Sequence, residues 1–116
     1  MTTTKPNNDN QNNYDYTDME NMKRFVNQHK DTLKSTGSSR SWFVWDGMRW
    51  RYEADDVTAI QRGFMTIESI DKEALASLDS LKRQELLKWS KSSQSKNRIL
   101  SMISMASKHK DMIVSM

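Results

Sequence analysis

The residues best suited to chemistry are the aromatic and basic side chains between Trp42 and Tyr52. This segment reads Trp-Phe-Val-Trp-Asp-Gly-Met-Arg-Trp-Arg-Tyr. Exposed aromatic rings stack on unpaired bases, with about 1–3 kcal/mol per base, and nearby basic groups bind phosphates. The segment is therefore a candidate site for single-stranded DNA, with Trp42, Arg49 and Arg51 as its contacts. The competing interpretation is that the rings fill the core of a chain with few other large side chains.

A second basic region lies toward the C-terminal end of the sequence. The formal net charge is +3, but residues 82–116 carry eight basic and two acidic side chains, whereas residues 1–20 carry one basic and four acidic. A basic series of this kind can follow a nucleic-acid backbone, where each phosphate contact releases counterions. The candidate phosphate contacts are Lys82, Arg83, Lys88, Lys91, Lys96 and Arg98. Ordinary solvation of two amphipathic helices explains the same pattern, so charge leaves both interpretations open.

Methionines form a third group of candidate residues. Met102, Met105 and Met112 recur near the end of the sequence. Unbranched, polarizable methionine side chains form adaptable surfaces for partner proteins, and they also fill irregular gaps in cores. The sequence predicts either a partner-binding surface or one side of the core.

Composition excludes several other kinds of site. The chain has no cysteine, which excludes a disulfide framework, a thiolate zinc site and a cysteine nucleophile. Its three glycines are isolated, so neither G-x-x-x-x-G-K-[ST] nor G-x-G-x-x-G can be written. The two histidines, His29 and His109, lie far apart and have no second ligand at helical spacing. We therefore expect a protein that binds rather than catalyses, with no catalytic residue, metal or cofactor.

Length and hydropathy predict one domain that does not enter a membrane. A chain of 116 residues supports a single core. Its longest apolar run, Trp42 to Trp45, is far shorter than the ~20 residues of a membrane helix. The Asn-rich start lacks the apolar stretch of a secretory signal. We therefore expect a cytoplasmic protein with no membrane partner.

The elements that must position these residues are mainly helical. We expect residues 1–16 to form a disordered polar tail and residues 17–116 to form a single helical domain. Thr17 to Glu20 reads as a capping box that opens a first helix, which ends at about Asp31 and is followed by a loop.

Three further helices follow in the prediction. Asp55 and Asp56 are expected to cap a second helix, because a carboxylate pair before an apolar-periodic run is more often a cap than an acid–base or metal pair. Its core stripe is predicted to be Val57, Ile60, Phe64, Ile67 and either Ile70 or Ala74. Asp79-Ser80 is expected to begin a third helix that continues to about Lys91, and a fourth begins at about Lys96.

Asp46-Gly47 predicts a β-hairpin at about residues 42–52. A two-residue type I′ turn at this dipeptide pairs Trp45 with Met48 and Trp42 with Arg51. Alternation then gives one face that we expect to dock on the helices and one that we expect to be open. The docking face holds Phe43, Trp45, Met48, Trp50 and Tyr52, and the open face holds Trp42, Val44, Arg49 and Arg51. The predicted fold class is mainly α, a small helical bundle with one β-hairpin (α+β).

Three sequence blocks occur in a fixed order along this chain. The first is Thr17-Asp18 with Asn21 and Arg24, the second is Trp42-x-Val44-Trp45-Asp46-Gly47-x-x-Trp50, and the third is Trp89-Ser90-Lys91 with Ser93, Ser95 and Ile99. Over about residues 17–107, this series resembles the region before the helicase in phage and plasmid primase–helicases and their poxvirus relatives. The resemblance implies a helical connector between a primase and a superfamily 3 helicase, which assists replication and contacts DNA, helicase subunits or both. It supplies no catalytic residue. The ATPase motifs of such proteins are absent here, which leaves a stand-alone version of the connector or a relic or fragment of a longer protein. Because the sequence starts at Met1, we expect the stand-alone version.

These observations lead to two hypotheses about function. The first is a non-enzymatic DNA-replication accessory of a bacteriophage, plasmid or other mobile genetic element, cytoplasmic in a bacterial host. Its expected partners are DNA, with single-stranded DNA favoured, and a separately encoded helicase or primase. The alternative is a protein–protein regulator, a decoy or inhibitor of a replication or defence protein, with no DNA contact. The sequence leaves self-association open.

Overall fold

Four helices and a three-stranded antiparallel sheet make up residues 15–114, the part of the chain that the computed structural model describes. In chain order they are α1 (Asp18–His29), β1 (Leu33–Ser35), β2 (Trp42–Trp45), β3 (Trp50–Glu53), α2 (Val57–Ala76), α3 (Ser80–Ser93) and α4 (Lys96–Ala106). The predicted mainly helical α+β class is confirmed. The predicted polar tail lies outside the described residues over positions 1–14.

Local capping signals determine where three of the helices begin. Thr17 Oγ1 accepts the Glu20 N–H at 3.1 Å at the start of α1. The Asp79 carboxylate accepts two backbone N–H groups at the start of α3, and Ser95 Oγ accepts the Arg98 N–H at the start of α4. Each of these caps satisfies N–H groups that have no partner inside the helix. The predicted starts of these helices are therefore confirmed.

The helix α2 begins after Asp55-Asp56 as predicted, but its capping contacts and its buried stripe agree with the prediction only in part. Asp56 occupies the capping position without a side-chain hydrogen bond, whereas Asp55 accepts the Val57 N–H at 3.1 Å. Glu53, at the end of β3, accepts both the N–H and the hydroxyl of Thr58 at 3.0 and 2.8 Å. The buried stripe consists largely of small or short side chains, and Val57 and Phe64 are exposed; its members are Ala59, Gly63, Thr66, Ile67, Ile70 and Ala74.

This small-residue stripe lets α4 lie close to α2. A Cβ atom placed on Gly63 would lie 3.2 Å from Ile103 Cδ1, 3.3 Å from Met102 Cε and 3.4 Å from Ile99 Cγ2. These distances are shorter than ordinary van der Waals contacts. The three α4 side chains therefore occupy the space that a larger side chain at position 63 would need. At this point α4 packs directly against the backbone of α2.

A third strand, β1, extends the predicted hairpin. Leu33 pairs with Val44 and Ser35 pairs with Trp42 in an antiparallel register. The sequence predicted a loop here because Ser35-Thr36-Gly37-Ser38-Ser39 has the composition of a loop. Its far edge is covered by the segment after α4, since Ser35 N–H donates to Met112 O and Val114 N–H donates to Ser35 O, each at 2.8 Å.

The hairpin register is shifted from the predicted one by two residues. Trp45 pairs with Trp50 and Trp42 pairs with Glu53, so the turn has four residues, 46–49, instead of two. A shift by two keeps each strand residue on its face because the side-chain period of a strand is two. The predicted grouping of Phe43 with Tyr52 and of Trp45 with Trp50 is therefore correct, although the predicted turn is wrong.

The face that docks on the helices is the opposite of the one predicted. Leu33, Ser35 and Trp42 have no exposed surface, and Val44 packs against the same core. The prediction selected the face of the hairpin with more aromatic residues. Because β1 adds Leu33 and Ser35 beside Trp42 and Val44, the three-stranded sheet completes its core face without the other aromatic side chains.

His29 is a buried histidine at the end of α1. Its Nε2 lies 3.1 Å from Thr66 Oγ1, and that hydroxyl donates to Gln28 Oε1. The hydroxyl therefore accepts a hydrogen bond from the Nε2–H group of a neutral imidazole. Burial, and to a smaller extent the positive charge of Arg62, lower the pKa of His29 to about 4.

This lowered pKa makes stability depend on pH. An unfolded histidine has a pKa of about 6.5, so the unfolded chain binds a proton as the pH falls from about 6.5 to 4 while the folded chain does not. The stability contributed by neutral, buried His29 is fully present above pH 6.5. Because of this residue, we expect the free energy of unfolding at pH 5 to be lower than at pH 7 by about 2 kcal/mol. Urea unfolding at pH 7 and pH 5 measures this change. Between pH 7 and pH 5, the free energy of unfolding of the variant His29→Gln should fall by less than that of the unmodified protein. An equal fall would contradict the assignment of this pH dependence to His29.

Candidate nucleic-acid interface

The outer side of the sheet carries four aromatic side chains in two cross-strand pairs. The rings of Phe43 and Tyr52 are 5.4 Å apart, those of Trp45 and Trp50 are 5.5 Å apart, and both pairs are inclined at 59°. Trp45, Trp50 and Tyr52 keep 37%, 41% and 60% of their surface exposed. Tilted rings at this spacing attract one another edge to face. We refer to these four residues as the aromatic face.

Lysine side chains lie beside the aromatic face. Lys34 is directly opposite Phe43 in the pairing of β1 with β2, so it lies on the same side of the sheet. Lys30 and Lys110 line an open groove together with Lys34, Phe43 and Trp50. Groups that stack on bases and groups that bind phosphates are therefore adjacent.

The structure exposes the two predicted hairpin arginines but buries the predicted tryptophan. Arg49 in the turn and Arg51 in β3 are both exposed. Trp42 has no exposed surface, and its indole N–H donates to Ser39 O at 2.8 Å. The stacking role expected for Trp42 is wrong because the core covers its ring. Sequence reasoning missed the aromatic face as a binding surface, although strand alternation had already grouped its members.

The second sequence block forms the turn that presents the aromatic face. The Asp46 carboxylate accepts the N–H groups of Arg49 and Met48 at 2.9 and 2.8 Å, and these hydrogen bonds lower the pKa of Asp46. Gly47 has a φ of +100°, a conformation that L side chains rarely adopt. Asp46 N–H also donates to Arg49 O at 3.1 Å. The Asp-Gly pair therefore fixes the turn that joins Trp45 to Trp50.

The first and third blocks meet in a buried polar network between α1, α2 and α3. Asn21 is fully buried: its Nδ2 donates to Ser93 Oγ at 3.0 Å, and its Oδ1 accepts from Trp89 Nε1 at 2.9 Å and from Arg24 NH1 at 2.8 Å. Arg24, also fully buried, donates to both carboxylate oxygens of Glu73 at 2.6 and 2.9 Å. The network joins three helices through side chains that the sequence separates widely.

Arg98 connects the same two blocks at the start of α1. Its NH1 donates to Asp18 Oδ1 at 2.8 Å, and its guanidinium carbon lies 4.8 Å from the centre of the Trp89 ring. This geometry is a cation–π contact next to an ion pair. The residues of the first and third blocks therefore hold the helices together, and sequence reasoning had identified their importance only through the resemblance.

The family comparison agrees with this arrangement of blocks. The family model described as D5 N terminal like matches residues 20–115, which include the second and third blocks and, from the first block, Asn21 and Arg24. The chain belongs to this family. The match confirms the resemblance drawn from the blocks and identifies a primase–helicase-associated replication domain. No match was found among curated proteins or among solved structures.

In this D5 N terminal like domain, the basic residues of α3 and α4 lie away from the aromatic face. Lys88, Lys91 and Lys96 are exposed. Their neighbours in sequence, Trp89 and Arg98, contact Asn21 and Asp18 of α1. The groove beside the aromatic face is lined instead by Lys30, Lys34 and Lys110, which belong to the segments around β1 and after α4.

Two of the predicted phosphate contacts are engaged by the D5 N terminal like fold itself. Arg98 binds Asp18 and stacks on Trp89. Arg83 is half-buried, and its NH2 donates to Ser77 O at 2.8 Å. Lys82, at the start of α3, is also half-buried. The exposed lysines of this region are thus better placed for phosphate contacts than the arginines.

The methionines predicted as a partner surface belong to the core. Met102 and Met112 have no exposed surface, and Met105 packs against the core while remaining half-buried. The prediction of a partner-binding surface at Met102, Met105 and Met112 is wrong because Met102, which faces Gly63 of α2, and Met112, which follows α4, are fully buried, and Met105 packs against the same core. Only the alternative reading of these residues, as core, agrees with the structure.

Within residues 15–114, the acidic and histidine side chains do not form a group of three that could hold a metal ion. No helix of this same range is long and apolar enough to cross a bilayer.

Proposed function

We propose that this domain is a non-catalytic accessory of DNA replication that binds single-stranded DNA on its aromatic face. The observation that carries the proposal is the exposure of Trp45, Trp50 and Tyr52 beside lysines on one side of the sheet. Stacking on such rings tolerates any base sequence, as a replication accessory requires. Family membership supports the replication context.

One feature favours an unpaired strand over a duplex. The bases of a duplex are stacked inside the helix, so their faces cannot reach Trp50 or Tyr52. We further propose a separately encoded helicase or primase as the protein that the domain assists, in a phage, plasmid or other mobile element.

Fluorescence anisotropy with a single-stranded oligonucleotide and with its duplex tests the proposal. Raising the salt concentration from ~50 to ~200 mM should weaken single-strand binding by about 20- to 50-fold if three or four phosphates are bound. Trp50→Ala should weaken single-strand binding by about 5- to 150-fold, because it removes a stacking ring. Phe64→Ala is the matched control, since Phe64 is a 51% exposed aromatic residue on α2.

The results separate this proposal from its rivals. Failure of the unmodified protein to bind either oligonucleotide at ~50 mM salt would eliminate it. An equal loss for single strand and duplex in Trp50→Ala would count against stacking. The double variant Lys88→Glu/Lys91→Glu tests the distant basic region, and a loss as large as that of Trp50→Ala would place the main contact there instead.

A protein–protein regulator is the second candidate, and one observation favours it. Leu75, Leu78 and Leu81, around the connection between α2 and α3, are 74%, 98% and 63% exposed. Apolar side chains that remain this exposed often mark an interaction surface. Absence of DNA binding, together with capture of a purified helicase or primase that is lost in Leu78→Glu, would support this alternative.

A further inference from the structure

An open groove lies between the aromatic face and the segment that follows α4. Its volume is about 630 Å³, within the roughly 300–1,000 Å³ that is usual for small-ligand sites. Phe43 and Trp50 line it from the sheet, and Ile113 and Val114 line it from the other side. Lys30, Lys34 and Lys110, together with Asp31 and Asp111, complete the lining.

Both walls of this groove are held in place by hydrogen bonds or ring contacts. Backbone hydrogen bonds on either side of Ile113 attach it to Ser35 of β1, and Lys34 Nζ donates to Asp111 O at 2.8 Å. On the other wall, Phe43 contacts Tyr52 and Trp50 contacts Trp45. The shape of the groove is thus determined before any ligand arrives.

We infer that this groove takes one unpaired base of single-stranded DNA, with lysines binding the neighbouring phosphates. The inference rests on the proposed function and gives it a specific site. A planar base matches a slot with an aromatic and an aliphatic wall, since every base presents a π face to a ring. Lys30, Lys34 and Lys110 line the same slot, and their ammonium groups can bind phosphates.

The charge of the lining argues that the base itself is recognised. Three lysines and two aspartates give a net charge of only +1, which is a weak attraction for a polyanion without bases. The carboxylates of Asp31 and Asp111 can accept hydrogen bonds from the amino or imino groups of a base. An acidic peptide would pair with the lysines, but it would leave both aromatic rings uncovered. The carboxylates of Asp31 and Asp111 would also repel it.

Competition binding with the full chain separates base recognition from charge. The probes are a ten-nucleotide thymidine strand, an abasic strand with the same number of phosphates, and a glutamate decapeptide. We expect the abasic strand to bind at least about 10-fold more weakly than the thymidine strand, because base stacking is lost. We expect the glutamate peptide to compete no better than the abasic strand.

Two variants assign the effect to the groove. Phe43→Leu keeps an apolar residue at a half-buried position, and it should weaken thymidine-strand binding by about 5-fold or more while leaving abasic-strand binding unchanged. Lys110→Ala should weaken both strands by a similar factor and reduce the salt slope by about 0.7 for one lost phosphate contact. Lys110 is 88% exposed, so its removal does not disturb the core. Lys72→Ala, an exposed lysine on α2, is the matched control and should change neither strand.

The outcomes distinguish the groove from the wider proposal. Equal binding of the thymidine and abasic strands would overturn the base site but leave DNA binding intact. If Trp50→Ala weakens binding of the thymidine strand and Phe43→Leu does not, the groove is not the base site. Stacking of bases on the exposed part of the aromatic face would then still be supported. Tighter binding of the glutamate peptide than of the abasic strand would assign the groove to acidic peptides. No binding of either strand at ~50 mM salt would overturn both proposals.

Discussion

Replacing Trp42 with alanine is expected to lower the free energy of unfolding by about 3–5 kcal/mol. Trp42 has no exposed surface, lies in the central strand of the sheet and donates its indole N–H to Ser39 O. Removal of a buried aromatic side chain costs its transfer free energy and leaves a cavity that the surroundings fill only in part. Since domains of this kind have a total stability of about 5–15 kcal/mol, the variant loses a large share of it.

Urea unfolding followed by far-UV circular dichroism measures this loss. The matched control is Trp50→Ala, which removes the same side chain from the exposed side of the sheet. Its cost should be clearly smaller, because 41% of Trp50 is already exposed and its pair with Trp45 adds only about 1 kcal/mol to the effect of its buried area. Similar losses in the two variants would contradict the assignment of the two sheet faces. Under conditions where Trp42→Ala remains folded, its affinity for single-stranded DNA should equal that of the unmodified protein.

Replacing Glu73 with alanine is expected to cost about 3 kcal/mol of stability. Arg24 is fully buried, and its guanidinium donates to both oxygens of the Glu73 carboxylate. Removing the carboxylate leaves a buried positive charge without that neutralising group, which typically costs about 3–5 kcal/mol. The side chain of Glu73 is 21% exposed, so water can approach the remaining charge, and we place the expected loss at the lower end of this range.

Thermal or urea unfolding of Glu73→Ala tests this role, with Glu68→Ala as the control on the same helix. Glu68 is exposed, so its replacement should change stability by no more than about 0.5 kcal/mol. The double variant Arg24→Met/Glu73→Leu should recover most of the loss, because apolar residues of similar size often replace a buried ion pair without cost. A loss in Glu73→Ala as small as that in Glu68→Ala would show that the pair adds nothing to stability.

Features coded by neighbouring residues could be predicted from the sequence. Thr17, Asp79 and Ser95 begin α1, α3 and α4 because each satisfies N–H groups within its own first turn. The Asp46-Gly47 pair marks the hairpin for the same reason, since the Asp46 carboxylate reaches only to the backbone of Met48 and Arg49. The number of residues in that turn was missed because a four-residue closure uses the same dipeptide.

Features that depend on distant partners could not be predicted. β1 is three residues long, and its burial depends on Trp42 and on the segment around Met112. Without β1, counting apolar residues on the hairpin selects the wrong face for the core. The stacking residues of the candidate site were therefore assigned to the interior, while the buried Trp42 was assigned to the surface.

The polar network shows the same limit in another form. Asn21 and Arg24 lie on one side of α1, but the sequence does not reveal that they meet Ser93 and Glu73, which follow 72 and 49 residues later. Buried polar side chains are tolerated only when they are hydrogen-bonded. The resemblance identified Asn21, Arg24 and Ser93 as important positions. Only the fold explains why these positions hold those residue types.

The attachment of the last described segment to Ser35 has a consequence for affinity. Ile113, Val114 and Lys110 belong to the groove only while this segment stays paired with β1 through the hydrogen bonds of Ser35. A substitution that weakens this pairing would leave the groove incomplete in part of the molecules, and the apparent dissociation constant would then equal the intrinsic one divided by the fraction in which the pairing is formed. In such a variant, a ligand that fills the groove and the segment that lines it would favour each other's docking by the same free energy.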